Sequence, residues 1–310
     1  DNAEFGLGMR LAADVQTDIA RARLDELREV LGSEYVDTIL DAPQMHESEI
    51  EAQLARVREL NERLEPLQGQ AAEELRSVSD FLVRRSVWIV GGDGWAYDIG
   101  SAGVDHVLAT GRDINILVLD TEVYSNTGGQ ASKSTPLGAV AKFAAAGKMT
   151  GKKDIALQAT SYGGVYVARV AMGADPQQTL KAFREAEAHD GPSLIIAYSH
   201  CIAHGIDMRR GLDQQYKAVA SGHFPLMRYN PVIRAQGGNP FLLDSPRPRI
   251  PLKEYRKDEL RFRILRTTHP AEAERLDELG QANVERRWAE YETWATSGAE
   301  SFTIDARKES

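Results

Sequence analysis

Between about residues 83 and 200 the chain alternates short apolar runs with longer stretches of helical periodicity, and glycine-rich or polar turns join the two. Residues 86–90 form a short run rich in β-branched and aromatic side chains, expected to be a buried strand. It breaks at Gly91-Gly92-Asp93-Gly94, and a helical pattern opens at Trp95 and ends near Gly111. Residues 114–120 read as a second strand and run into the polar stretch 121–129. Residues 135–147, with proline near the start and glycine at the end, suit a helix. A strand at 165–171, a helix at 176–189 with Leu180 and Phe183 facing inward, and a strand at 192–198 complete the alternation. The pattern predicts an α/β fold: a mostly parallel sheet flanked by helices on both faces.

Different patterns lie on either side. Residues 1–82 read as a helical lead-in packed on the main domain. Leu11, Val15, Ile19, Leu24, Leu27 and Leu31 recur at roughly helical spacing, and Gly32 is a plausible C-cap. Ser48-Glu49-Ile50-Glu51 resembles a capping box for a helix carrying Ile50, Leu54, Val57, Leu60, Leu64 and Leu67, which Pro66 should end. Leu75, Val78, Phe81 and Leu82 mark a third helical pattern. Residues 83–230 make the main domain and 231–310 a C-terminal arm and helix. In this last part the Gly-, Pro- and Arg-rich run 237–251 should be extended and an amphipathic helix should start at Pro270. The final dozen residues are polar and expected to fray.

Composition narrows the function classes. A chain of 310 residues can bury a substantial core. Its net charge of −9 and pI near 5.4 argue against nucleic acid as the main partner. No apolar run is long enough to span a membrane, so no membrane association is expected. A single cysteine excludes an internal disulfide and fits a reducing, cytoplasmic setting. Lys142, Lys148, Lys152 and Lys153 form a basic patch in this acidic chain and read as a solvated face.

The chemistry concentrates in the two turns that follow the first two strands, where open α/β sheets place ligands. Glycines at 91, 92 and 94 let the backbone approach a ligand, but Asp93 would repel a bare phosphate. A cation between them resolves the conflict, and magnesium takes hard oxygen ligands shared between protein and phosphate. The second turn can supply the Thr121 hydroxyl, main-chain carbonyls such as that of Val123, and the Asn126 amide. Two other phosphate motifs fail: Tyr97 stands where a dinucleotide fingerprint needs Gly or Ala, and neither Gly147-Lys148 nor Gly151-Lys152 is followed by Ser or Thr.

Gly-Asp-Gly followed 28 positions later (121 − 93) by a second loop bearing an asparagine resembles the thiamine diphosphate signature. The longer strings Gly91-Gly92-Asp93-Gly94-Trp95-Ala96-Tyr97-Asp98-Ile99-Gly100 and Asp120-Thr121-Glu122-Val123-Tyr124-Ser125-Asn126-Thr127-Gly128-Gly129-Gln130 resemble pyruvate:ferredoxin (flavodoxin) oxidoreductases. So does Asn239-Pro240-Phe241-Leu242-Leu243-Asp244-Ser245, and the likeness runs from Asp1 to about Trp294. It implies a thiamine diphosphate-binding fold and oxidative decarboxylation of pyruvate with coenzyme A, with electrons passing through [4Fe–4S] clusters to ferredoxin or flavodoxin. Asp93, Thr121 and the Val123 carbonyl would then hold magnesium. Gly92, Asp93, Gly94, Trp95, Thr121, Glu122, Val123, Tyr124, Ser125 and Asn126 would line the cofactor, with Asn126 near the reacting carbon.

The run Ser199-His200-Cys201-Ile202-Ala203-His204 is open by itself to a zinc site, which lacks a second cysteine, or to a buried inert thiol. The resemblance implies instead that Cys201 is the fourth ligand of a [4Fe–4S] cluster whose other three lie elsewhere. It further implies that Asp1-Asn2-Ala3-Glu4 lies deep inside a longer polypeptide, a homodimer when complete, so that this chain is a C-terminal fragment unable to turn over alone. Two rival readings are another 2-oxoacid:ferredoxin oxidoreductase and a non-catalytic interaction module docking through the helix at 50–67.

Overall fold

The computed structural model describes residues 2–297, which divide into two compact units. One holds residues 5–87; the other holds residues 2–4 and 88–297. The expected frayed final dozen lies outside the described residues.

The elements of the smaller unit are all helical, chiefly residues 5–26 of helix Ala3–Glu26 and the helices Ser33–Leu40, Glu47–Leu64 and Gln70–Val78. Leu24, Val36, Ile39, Leu60, Leu64 and Leu75 close its core. The inward stripe of the first helix is not the one its large apolar residues mark. Arg10, Ala13, Ala20 and Leu24 are buried, whereas Leu11, Val15 and Ile19 are exposed. Polar anchors help set that rotation: Arg10 Nη1 donates to the Arg85 carbonyl and Thr17 Oγ1 to that of Phe81. The expected capping box also shifts. His46, not Ser48, is the N-cap, and the Glu49 carboxylate accepts from the His46 and Met45 amides.

In the larger unit six strands form one sheet: β1 (Trp88–Gly92), β2 (Asn115–Asp120), β3 (Tyr166–Val170), β4 (Ser193–Tyr198), β5 (Met227–Tyr229) and β6 (Phe241–Leu243). Their order is β1-β2-β4-β3-β5-β6, parallel across the first four and antiparallel across the last two pairings. This is the mostly parallel, helix-flanked α/β fold that the alternation of elements predicts. The extended run after Gly237 contributes the edge strand β6. Helix Pro176–Ala188 covers one face, where Ala182 and Ala186 pack with Tyr166, Ala168 and Ile195. Phe183 turns inward to stack on Trp88 at 5.5 Å, but Leu180 is 46% exposed. β1 is an edge strand and not a buried one, with Val90 58% exposed.

The expected helix at 135–147 does not form. Gly138, Phe143 and Gly147 all adopt positive φ (83°, 68° and 82°), which a right-handed helix cannot contain. Its amides bond outward instead: Val140 to the Arg261 carbonyl and Lys142 to that of Gly129. Leu137 anchors the loop in a cluster with Leu265, Ala273 and Leu276.

Candidate functional site: three loops at the carboxyl edge of the sheet

Gly92 ends β1 opposite Leu119, so the turns after β1 and β2 leave the sheet side by side at its carboxyl edge. The glycine turn feeds a π-helical segment, Gly94–Ile99. Its glycines do different jobs. A Cβ on Gly94 would lie 2.4 Å from the Tyr124 ring, and Cβ atoms on Gly91 and Gly100 would strike the Trp95 indole at 2.3 and 2.1 Å. Those three allow close packing of Tyr124 and Trp95. Gly92 is exposed, and a Cβ there would meet nothing within 4 Å. It is the position that leaves the backbone open to a ligand.

Three oxygens converge beside it. The Thr121 hydroxyl donates to Asp93 Oδ1 at 2.7 Å and lies 3.0 Å from the Val123 carbonyl oxygen. Around magnesium at about 2.1 Å, adjacent octahedral oxygens sit about 3.0 Å apart. The donor set of carboxylate, hydroxyl and carbonyl therefore fits such an ion in chemistry and spacing. Among the described residues no group of three or more His, Cys, Asp or Glu side chains is placed to hold a metal. Asp93 is buried, and its Oδ2 accepts from Ser132 Oγ at 2.7 Å. Burial, and then the charge of Asp120, push its carboxyl up to about 6 against the pull of the Ser132 and Thr121 hydroxyls. A bound cation would reverse that balance.

Beneath the loops lies a charge network that the sequence alone did not disclose. Asp120, at the end of β2, accepts from Tyr97 Oη at 2.9 Å, from Lys152 Nζ at 2.6 Å and from the Ser134 hydroxyl. Glu122, held at φ +58°, turns its carboxylate inward to Lys152 (2.9 Å), His223 (2.9 Å) and Arg261 (2.7 Å). Burial works to raise its pKa, but His223, Lys152 and Arg261 outweigh it and hold the carboxyl well below the usual range. These ties lock a strained backbone position between Thr121 and Val123, both of which offer oxygens to the site. With its side chain 9% exposed, Lys152 is thus an ion-pair partner of Asp120 and Glu122 and no part of a solvated face. Lys148 is half-buried too, donating to the Thr135 carbonyl; burial, and then Lys152, lower its pKa to about 8.

The remaining candidates fall into two sets. Ser125 and Asn126 are exposed on the turn that Tyr124 and Gln130 close, with Tyr124 N bonded to the Gln130 carbonyl at 3.0 Å. Trp95 and the Glu122 side chain are buried beneath the loop surface. Cys201 follows β4 on a third loop at the same edge. It is buried, and its Sγ accepts from the Ala203 amide at 3.4 Å. His204 ties this loop to the second, since its Nε2–H donates to the Thr121 carbonyl at 2.6 Å. Burial, and then the Arg261 charge, depress His204 to about 4, so the ring is neutral with its proton on Nε2. One thiolate cannot hold a [4Fe–4S] cluster, so Cys201 fits only as one of four ligands. Ser132, Asp120, Lys152 and His223 lie outside the residues that the sequence marks for the site. Asp120 opens the second quoted string and Ser132 lies two residues past its end, but Lys152 and His223 sit 32 and 101 positions from the acids they pair with, and no local signal marks them.

Among known proteins, residues 77–197 match the family model described as thiamine pyrophosphate enzyme, C-terminal TPP binding domain. A pyruvate-flavodoxin oxidoreductase of Trichormus variabilis is 55% identical over 296 residues, 94% of this chain and 25% of the relative. The pyruvate:ferredoxin oxidoreductase of Moorella thermoacetica is 46% identical over 314 residues, 95% of this chain and 26% of the relative. The chain thus spans about a quarter of the length of the curated relatives it matches. A solved 2-oxoglutarate:ferredoxin oxidoreductase from Magnetococcus marinus, bound to 2-oxoglutarate, coenzyme A and succinyl-CoA, is 24% identical with a TM-score of 0.35. That alignment covers 38% of this chain and 40% of that one. The family likeness read from the two strings therefore extends along nearly the entire chain.

Proposed function

We propose that this chain is the thiamine diphosphate- and magnesium-binding portion of a larger pyruvate:flavodoxin or pyruvate:ferredoxin oxidoreductase. The complete cytoplasmic enzyme, a homodimer, would convert pyruvate and coenzyme A to acetyl-CoA and carbon dioxide. It would pass electrons through [4Fe–4S] clusters to ferredoxin or flavodoxin. Residues 83–230 make the cofactor domain of this reading, with 1–82 as lead-in and 231–310 as arm. The observation that carries it is that the Thr121 hydroxyl lies within 3.0 Å of both an Asp93 carboxylate oxygen and the Val123 carbonyl oxygen, at the ends of two adjacent parallel strands and beside an open glycine.

When bound, thiamine diphosphate supplies the electron sink that decarboxylation needs. The chain's own residues do the rest of the work available here. Asp93, Thr121 and Val123 hold the metal, and Gly92 leaves room for the diphosphate. Glu122, clamped by Lys152, His223 and Arg261, keeps the Thr121 and Val123 oxygens in register. Asn126, exposed at the loop tip, would orient the substrate, and Cys201 would give one thiolate to a [4Fe–4S] cluster.

Asp93→Asn tests this reading in the natural polypeptide. Calorimetry should show magnesium-dependent thiamine diphosphate binding weakened a hundredfold or more. The fold should survive, because the native carboxylate is already disfavoured by its burial. Near-normal affinity in a folded variant would overturn the assignment.

A further inference from the structure

Inside the larger unit, a cavity of about 220 Å³ is walled by Arg169 on β3, Ile196 on β4, and Val284 and Arg287 on the last helix, Pro270–Thr296. It holds room for several waters, and hence for one compact polyatomic ion. Asp93, Thr121 and Val123 are not among its walls, so it is distinct from the site at the carboxyl edge.

The walls are short of negative charge. Arg169 is 4% exposed; its Nη1 donates to the Tyr291 hydroxyl at 3.1 Å and lies 3.6 Å from Asp154, while Nε and Nη2 are buried without a hydrogen-bond partner. Arg287 donates through Nη2 to the Gly222 and His223 carbonyls at 2.9 and 2.7 Å. Its Nε is also buried and unpaired, and no acidic oxygen lies within 4.0 Å among the described residues. Arg256 pairs with Asp277 but leaves Nε unsatisfied. Lys152 already serves Asp120 and Glu122, and Lys153 and Arg286 add two more cations to the walls against the carboxylates of Asp154 and Glu290. Guanidinium groups do not escape by losing a proton, and a buried N–H left without an acceptor is costly. Several such donors around one cavity are the complement of a carboxylate or phosphate group, whose oxygens accept from guanidinium in pairs.

We propose that this cavity binds a small oxyanion, a carboxylate or a phosphate group, through Arg169, Arg256 and Arg287. The occupant sits against Lys152 and His223, the same side chains that clamp Asp120 and Glu122, so its charge is felt by the cofactor loop.

The test uses the natural polypeptide saturated with magnesium and thiamine diphosphate, so that the carboxyl-edge site is filled. Inorganic phosphate and acetate are titrated separately by calorimetry at an ionic strength fixed with chloride. Saturable binding of at least one is expected, weakened tenfold or more by Arg169→Gln and by Arg287→Gln. A response to phosphate alone marks the ligand as a phosphoryl group, and one to acetate alone as a carboxylate. Circular dichroism checks that each variant folds. Should Arg169→Gln fail to fold, Arg287→Gln decides, together with a wild-type melting temperature that rises with the binding anion and not with equal chloride. Absence of saturable binding by either anion, or unchanged affinity in the folded arginine variants, would overturn the proposal.

Discussion

Adding one methyl group at Gly92 or at Gly94 separates a cofactor cradle from a packing requirement. At Gly94 the new Cβ would lie 2.4 and 2.5 Å from two Tyr124 ring carbons, about 1 Å inside ordinary contact. Overpacking of this kind costs roughly 1–3 kcal/mol, offset by up to about 1 kcal/mol from alanine's better helix propensity in the segment Gly94–Ile99. A net loss of about 1–2 kcal/mol is expected in urea unfolding. Tyr124→Ala should remove most of that penalty, so the double mutant should lose less stability than the two single mutants summed. At Gly92 nothing lies within 4 Å and φ is not positive, so Gly92→Ala should leave stability unchanged or raise it by about 0.4–1 kcal/mol through the unfolded chain. The same methyl group would stand where the diphosphate must approach, so magnesium-dependent thiamine diphosphate affinity should drop at least tenfold, or about 1.4 kcal/mol or more. Stability by urea titration and affinity by calorimetry are read on the same two proteins. Wild-type affinity in Gly92→Ala, or wild-type stability in Gly94→Ala, would refute the division of roles.

Three further outcomes are expected. Asn126→Ala should lower kcat far more than it weakens cofactor binding, since the residue is exposed on the loop and outside the metal set; equal losses would make it a structural residue of the turn. Cys201→Ser in the complete polypeptide should shift or abolish one cluster's signal in anaerobic EPR while cofactor binding is kept, and an unchanged spectrum would return the thiol to a packing role. For Lys148, burial lowers the folded-state pKa to about 8 from 10.5, so the folded state disfavours the ammonium at neutral pH. Wild-type stability relative to Lys148→Met should therefore improve as pH rises from about 8 to 10.5, where the unfolded chain still holds a proton that the folded one has released. A difference in urea midpoints that does not vary with pH would contradict this.

Local chemistry is legible in this chain wherever interacting groups lie close in sequence or repeat with a period. The strands at β1–β4 announce themselves by β-branched runs, and both glycine turns by composition, which was enough to place Asp93, Thr121, Val123 and Asn126 at one edge of a parallel sheet. The family strings carry the use proposed above for that edge. Periodicity misled where tertiary partners outbid it. Apolar Leu11, Val15 and Ile19 face outward because Arg10 and Thr17 tie the opposite face of their helix to the Arg85 and Phe81 carbonyls. Residues 135–147 carry the proline and glycine of a helix, yet their amides bond to Arg261 and Gly129 and their glycines take positive φ.

The fold alone decided which charges meet. Lys152 reads in the sequence as one of four surface lysines, but the loop after Gly147 carries it to the end of β2, where two carboxylates compensate its partial burial. His223 and Arg261 reach Glu122 from 101 and 139 positions away and hold it at a φ that an isolated peptide rarely adopts. Electrostatic pairing in a low-dielectric interior depends on distance in space, and only tertiary packing sets that distance.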